Sequence, residues 1–406
     1  MFPYRALLAV LPIYLLAVGA TPVNPTSGGT GKITLGFVAR LNAIGISSIA
    51  DADRARIKCM RVKGGHIKRD VSVNVTNSAV LYAAQVSVGS PPTEYTLLVD
   101  TGSSNMWVGA NKSYTPTSTS YYTGNTVYVA YGSGNFSGVE YTDTVSFGNG
   151  LTINQQSIGV ATQSQSLSGT GIDGVLGLGP ADLTQGTVSN IDTVPTVVDN
   201  LYSQGMISSA VLGIYFVPAS DSNSGELTFG GYDPSVITST VHYAPITDTS
   251  SSNLFWGYNQ SITYGGKTIL PNSAGTVDTG TTLILIATDA FQTYQSATGG
   301  VMDNATGLLR ITPSQYNNLQ TLSFHIGTQT YDLIPNAQIW PRSLNYAIGG
   351  SSGSIYLVVH DIGYPSGSGL DFTNGYAFLE RYYSIYDTTN ACVGFAAIRY
   401  TNSTSN

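Results

Sequence analysis

The chain has 406 residues, with 16 Lys and Arg against 23 Asp and Glu, a net charge of −7, and only 10% of its residues charged. A globular average is about a quarter charged; so few cations argue against a nucleic-acid binder, whose affinity rests on Lys and Arg meeting phosphates. A hydrophobic content of 42% excludes disorder, and two cysteines exclude a disulfide-rich scaffold or a structural zinc site.

Residues 1–20 carry one cation, Arg5, then an apolar run through Val18 and the small pair Gly19-Ala20. This is the pattern of a secretory signal peptide cut after Ala20. The run is short for a bilayer span and no other segment could cross one, so a secreted, extracellular protein with no membrane partner is expected. Residues 21–69 hold nine Lys and Arg against Asp51 and Asp53, which leaves six cations and 21 acids for residues 70–406. A cationic leader on an anionic body reads as a removable pro-segment held on by charge, and released as acid protonates the body's carboxylates. The dibasic Lys68-Arg69 places the mature start near Asp70. Cys59 would leave with the pro-segment, and Cys392 reads as a small buried hydrophobe.

From residue 71 onward, short β-branched and aromatic runs are separated by Gly, Ser, Asn and Pro. Residues 80–88, 96–99, 126–129 and 212–217 are predicted strands, and 196–204, 288–297 and 313–319 are short predicted helices. No strand–helix alternation of the parallel α/β kind occurs, so the class is all-β. Within this texture Leu97-Leu98-Val99-Asp100-Thr101-Gly102-Ser103-Ser104 recurs as Gly275-Thr276-Val277-Asp278-Thr279-Gly280-Thr281-Thr282. One Asp-Thr-Gly is a tight turn as readily as a site. Two copies with matching flanks, one in each half, predict two similar lobes meeting at a cleft, each supplying one carboxylate. A divide near Asp233–Thr240 separates lobes 70–236 and 237–406.

The residue types explain a chemistry. A peptide bond is cleaved without a nucleophilic side chain if one carboxylate takes a proton from water while a carboxylic acid donates to the carbonyl oxygen. Gly102 and Gly280 allow close backbone approach, and the hydroxyls of Ser103 and Thr281 can hydrogen-bond the ionised carboxylates. A glycosidase using the same two carboxylates is a rival reading, which their separation would decide. A binding protein on the same fold that has lost catalysis is another, although both aspartates and their hydroxyl neighbours are present here.

On these residues the sequence resembles the pepsin family of aspartic proteases, and within it the fungal polyporopepsin type, across residues 75–400. The resemblance implies a bilobal pepsin-like fold, two β-barrel-like lobes with a cleft between them and few short helices. It implies that Asp100 and Asp278 are catalytic, and that Thr101 and Thr279 bond across to the opposite lobe. Trp107 and Tyr131 match a contact beneath a hairpin flap that includes Gly132 and Ser133. Asp173–Gly179 matches the strand threading beside the first aspartate, and Gly375–Asp387 plays that part in the second lobe. There the family's apolar-apolar-Gly reads Thr373-Asn374-Gly375. Leu167, Val175 and Thr282 are the remaining implied substrate contacts. Ser133 stands where relatives that accept Lys carry an Asp, so bulky apolar residues are expected around the cut. Polypeptide substrates, pepstatin-type inhibitors and the protein's own pro-segment are the expected partners of a monomer that needs no cofactor or metal.

Sequons at Asn74, Asn111, Asn259, Asn304 and Asn402 are glycosylation candidates, whereas Asn135, near the flap tip, is expected to be bare. His242, His325 and His360 show no metal-ligand spacing.

Overall fold

The computed structural model describes residues 33–41, 48–64 and 80–406, apart from 133, 166, 168, 220 and 222–224. The signal peptide, the Lys68-Arg69 cut, the start at Asp70, Asn74 and Ser133 lie outside the described residues.

Alternating burial builds the strands. In Thr93–Asp100, Tyr95, Leu97 and Val99 are buried while Thr96 and Leu98 are half-buried. This strand runs parallel to Gly174–Gly177, with Asp100 opposite Gly177, and Trp107–Val108 lies antiparallel on that strand's other side. The second half repeats the arrangement. Lys267–Val277 runs parallel to Phe372–Asn374, with Val277 opposite Asn374, and Ile284–Ile286 lies antiparallel on its far edge. Each half therefore threads one strand beside the one that leads into Asp-Thr-Gly. Glycine is required at both crossings: a Cβ on Gly177 would lie 2.5 Å from the Ser104 carbonyl carbon, and one on Gly375 would lie 2.3 Å from the Leu283 oxygen.

A shared antiparallel sheet joins the halves. The C-terminal strand Tyr382–Asp387 returns to pair with Val211–Tyr215 on one side and with Cys392–Ala397 on the other, and Val211–Tyr215 pairs in turn with Gly225–Phe229. Between Gly225–Phe229 and Val80–Val88 lies the strand Ile33–Leu41, with Phe37 opposite Gly225 on one side and Ala84 on the other. Phe37 is buried edge-on against Tyr82 and Phe216, with ring centroids at 5.7 and 5.1 Å.

The three expected helices appear as Val197–Ser203, Thr288–Thr298 and Pro313–Asn317. Thr196 and Thr312 close capping boxes with Asp199 and Gln315, and Gly299, at a left-handed φ of 69°, ends the second helix. A longer helix, Ile49–Gly64, forms inside the basic segment, where composition had suggested only charge. Ser48 accepts from the Asp51 N–H at 3.3 Å to start it. Ile49, Ala52, Asp53, Ile57 and Met60 are buried at helical spacing, and the small Ala50 and Ala55 are buried beside them.

Candidate active site

Asp100 and Asp278 stand at the ends of the two equivalent strands, and both are 0% exposed. Each carboxylate is held by its own tripeptide in the same way. Gly102 N–H donates to Asp100 Oδ1 at 2.9 Å and Ser103 Oγ donates to Oδ2 at 2.5 Å. Gly280 N–H donates to Asp278 Oδ1 at 2.9 Å and Thr281 Oγ1 donates to Oδ2 at 2.6 Å. The lobes are tied directly beneath: Thr101 N–H donates to Thr279 Oγ1 at 2.9 Å, and Thr279 N–H donates to Thr101 Oγ1 at 3.0 Å. Thr279 Oγ1 also donates to the Val99 carbonyl at 3.0 Å.

One guanidinium spans the two carboxylates. Arg56, on the helix Ile49–Gly64, donates from Nε to Asp278 Oδ2 at 2.5 Å and from Nη2 to Asp278 Oδ1 at 2.9 Å, and Nη2 also donates to Asp100 Oδ1. Burial alone would push the Asp278 pKa up. The Arg56 charge and hydrogen bonds, with those from Thr281 and Gly280, outweigh it and hold the group below its usual range. Burial would lower the Arg56 pKa, but the two aspartates reverse that and drive it upward.

The same helix makes two further anchors that the sequence reading did not single out. Asp53 accepts from Thr282 N–H at 3.1 Å and from Leu283 N–H at 2.8 Å. Arg61 donates to the Ser368 and Leu370 carbonyls at 2.7 and 3.2 Å, its guanidinium 4.1 Å from the Tyr364 ring centre. By contrast Arg54 pairs with Asp51 of its own helix and Lys58 faces solvent. The charge attraction expected of the whole segment is thus concentrated, among the described residues, in Arg56. A period-3.6 pattern starting at Ser48 was the signal for the helix; nothing local marked which of its side chains would meet the aspartates.

Trp107 and Tyr131 are in direct contact. Trp107 Nε1–H donates to the Tyr131 hydroxyl at 2.8 Å, and the Trp107 ring stacks on Phe136 at 4.3 Å. Leu167 and Val175 lie in the same apolar cluster, with Tyr131 packed against it. A Cβ on Gly132 would sit 2.0 Å from the Arg56 nitrogen, so the hairpin rests directly on the helix. Burial drives the Tyr131 hydroxyl pKa upward, which keeps it a proton donor. Beneath Asp278 the side-chain amide nitrogen of the unusual Asn374 donates to the Tyr258 hydroxyl at 2.8 Å and to Gln260 Oε1 at 3.0 Å, while its Oδ1 is buried with no hydrogen-bond partner among the described residues.

No cluster of metal-ligating side chains occurs among the described residues. His242 and His325 bond threonine hydroxyls, and His360 is buried against Phe291. One glycosylation candidate is in an unsuitable position: Asn111 Nδ2 donates to the Leu167 and Ile172 carbonyls at 2.8 and 2.5 Å, and its Oδ1 accepts from Gly169 N–H. A glycan there would cost those bonds. Asn259, Asn304 and Asn402 are exposed, and Asn135 is half-buried.

Residues 81–398 match the family described as Eukaryotic aspartyl protease. The chain is 57% identical over 340 residues to polyporopepsin of Irpex lacteus, covering 82% of this chain and 99% of that protein. It is 33% identical over 327 residues to rhizopuspepsin-1 of Rhizopus niveus, covering 76% and 81% respectively. The crystal structure of the aspartic proteinase from Irpex lacteus superposes with a TM-score of 0.78 at 57% identity, covering 80% of this chain and 96% of that one. The match spans both halves and both Asp-Thr-Gly turns, on a mostly-strand bilobal fold. The chain belongs to the eukaryotic aspartyl protease family and is a pepsin-like aspartic endopeptidase.

Proposed function

We propose that the chain is the inactive precursor of a secreted acid endopeptidase in which Asp100 and Asp278 activate a water between them. The observation that carries this is the single Arg56 guanidinium bonded to both carboxylates, since only two acids converging on one point can share one cation. With the helix withdrawn, the two carboxyls lose their shared cation. Like charges in contact do not both ionise, so the pair holds one proton between them, as is established for aspartic-protease dyads generally. The ionised member takes a proton from the water as that water attacks the peptide carbonyl. The protonated member donates to the carbonyl oxygen, and proton transfer to the leaving nitrogen completes the cut. Ser103, Thr281, Gly102 and Gly280 supply donors that favour ionisation of the pair down to acid pH. The threonine pair Thr101 and Thr279 fixes the spacing.

In this reading residues 1–20 are a signal peptide and 21–69 the pro-segment, and the lobes are 70–236 and 237–406. The flap hairpin with Tyr131, Gly132 and Ser133 closes over an extended substrate, whose backbone pairs as an added strand. Trp107, Leu167, Val175 and Thr282 contribute to the cleft walls, which favours bulky apolar side chains and disfavours Lys before the cut. The test is hydrolysis of denatured haemoglobin in acid after conversion, with and without pepstatin, beside an Asp100→Asn variant. Acid hydrolysis abolished by both is expected. Hydrolysis that survives in Asp100→Asn would end the proposal.

A further inference from the structure

Three carboxyl groups meet one guanidinium in the blocked cleft. Asp100, Asp278 and Asp53 are at most 1% exposed, and Arg56 is the cation at bonding distance of the first two. Three buried negative charges against one positive leave two charges uncompensated where the local dielectric is low. The balance favours a proton on one carboxyl. Asp100 and Asp278 each have Arg56, a hydroxyl and a glycine N–H to hold their ionised forms. Among the described residues Asp53 has only backbone donors: Thr282 N–H at 3.1 Å from both its oxygens and Leu283 N–H at 2.8 Å.

The groups that face Asp53 are few. Asp278 and Arg56 lie toward the dyad, and the Tyr376 hydroxyl approaches from the helix Tyr376–Leu379. On its own helix Arg54 is occupied with Asp51. Burial pushes Asp53 up from 3.8 to about 7; the Leu283 and Thr282 N–H groups pull it down, and Asp278 adds a further upward push.

We infer that the amide pair of Thr282 and Leu283 is a carboxyl-binding seat, filled in cis by Asp53, which grips the helix more tightly as pH falls from neutral into mild acid and so opposes release there. This rests on the precursor reading above. Between 3.8 and about 7 a docked Asp53 carries a proton that the displaced residue gives up, so falling pH across that span favours docking. Above the span both forms are ionised and the contribution is gone; below it both are protonated and the contribution is complete. The dyad works in the other direction. Arg56 holds Asp278 low, and release lets the pair take up a proton, so acid weakens that contact. The opposed responses keep the cleft shut in mild acid and confine release to stronger acid, where only the Asp278 contact still responds.

The experiment measures uptake of fluorescently labelled pepstatin by the intact precursor, with gels confirming that no processing occurs during the measurement. Wild type, Asp53→Asn, Asp53→Ala and Arg56→Met are compared at about pH 4.5 and about pH 6.5, where the probe's own pH dependence cancels in ratios between variants. Asp53→Asn keeps the shape and never ionises. Its uptake constant relative to wild type is expected to fall by at least about tenfold between the lower and the higher pH. Asp53→Ala, which empties the seat, is expected to take up more probe than wild type at the lower pH. A ratio that is the same at both pH values, or that rises with pH, overturns the inference. Folding is checked independently, because every Asp53 variant converts to a mature enzyme of wild-type sequence whose full activity reports a sound body. Arg56→Met separates the two levels. If it opens the cleft while the Asp53 ratio stays flat, only the seat is wrong; if it leaves uptake unchanged, the precursor reading itself falls.

Discussion

The threonine pair beneath the dyad is chemically symmetric in sequence but not in its bonds, and this gives a quantitative prediction. Thr279 Oγ1 accepts from Thr101 N–H and donates to the Val99 carbonyl, whereas Thr101 Oγ1 makes one such bond, from Thr279 N–H, among the described residues. Valine is close to threonine in shape and removes only the hydroxyl. Thr101→Val strands one buried N–H, which costs about 2 kcal/mol. Thr279→Val strands one buried N–H and also loses the bond to Val99, which totals about 3 kcal/mol. The expected difference is therefore about 1 kcal/mol in favour of Thr101→Val. Urea denaturation of the precursor followed by tryptophan fluorescence reads it as a larger midpoint shift for Thr279→Val. Thr279→Ser, which keeps the hydroxyl, should recover most of that shift. Equal shifts for the two valine variants, or a serine variant as damaged as the valine one, would refute the reasoning.

Three further outcomes follow from the geometry. Tyr131→Phe removes the acceptor of the Trp107 indole N–H and should lower kcat/KM of the converted enzyme by roughly tenfold without changing its fold, as steady-state kinetics and circular dichroism would show. Glu226 on the shared sheet is raised by burial from 4.5 to about 7, with Thr228 opposing and Asp233 reinforcing. A raised carboxyl stabilises the fold below its unfolded value and loses that effect as pH rises through about 7. Melting temperatures measured at about pH 5 and about pH 8 should therefore fall more for wild type than for Glu226→Gln. Glycopeptide mass spectrometry of secreted protein should find Asn111 bare, because its amide is spent on the Leu167 and Ile172 carbonyls, and occupancy there would mean that this turn opens before folding is complete.

Strand positions were readable because alternation and turn residues act within a few residues of each other. The predicted run 80–88 matches the strand Val80–Val88, and the run 288–297 matches the helix Thr288–Thr298. The helix Ile49–Gly64 escaped because its charges dominated a reading based on composition, although Ser48 and the spacing of Ile49, Ile57 and Met60 carried its signature. Thr373-Asn374 looked misplaced where apolar residues were expected. Its partners, Tyr258 and Gln260, lie on a strand more than a hundred residues away, and no local pattern announces such a bond.

The repeated Asp-Thr-Gly turns marked the two aspartates and the hydroxyl and glycine donors beside them, because each of those contacts lies within three residues of its carboxylate. Only the tertiary structure decided which residues of the basic segment meet the aspartates. Arg56 reaches Asp278 across 222 positions and Asp53 reaches Thr282 across 229. A helix presents one face, and which of its charged side chains finds a partner depends on how the whole element docks. That docking energy is spread over contacts with both lobes and written in no single stretch of sequence.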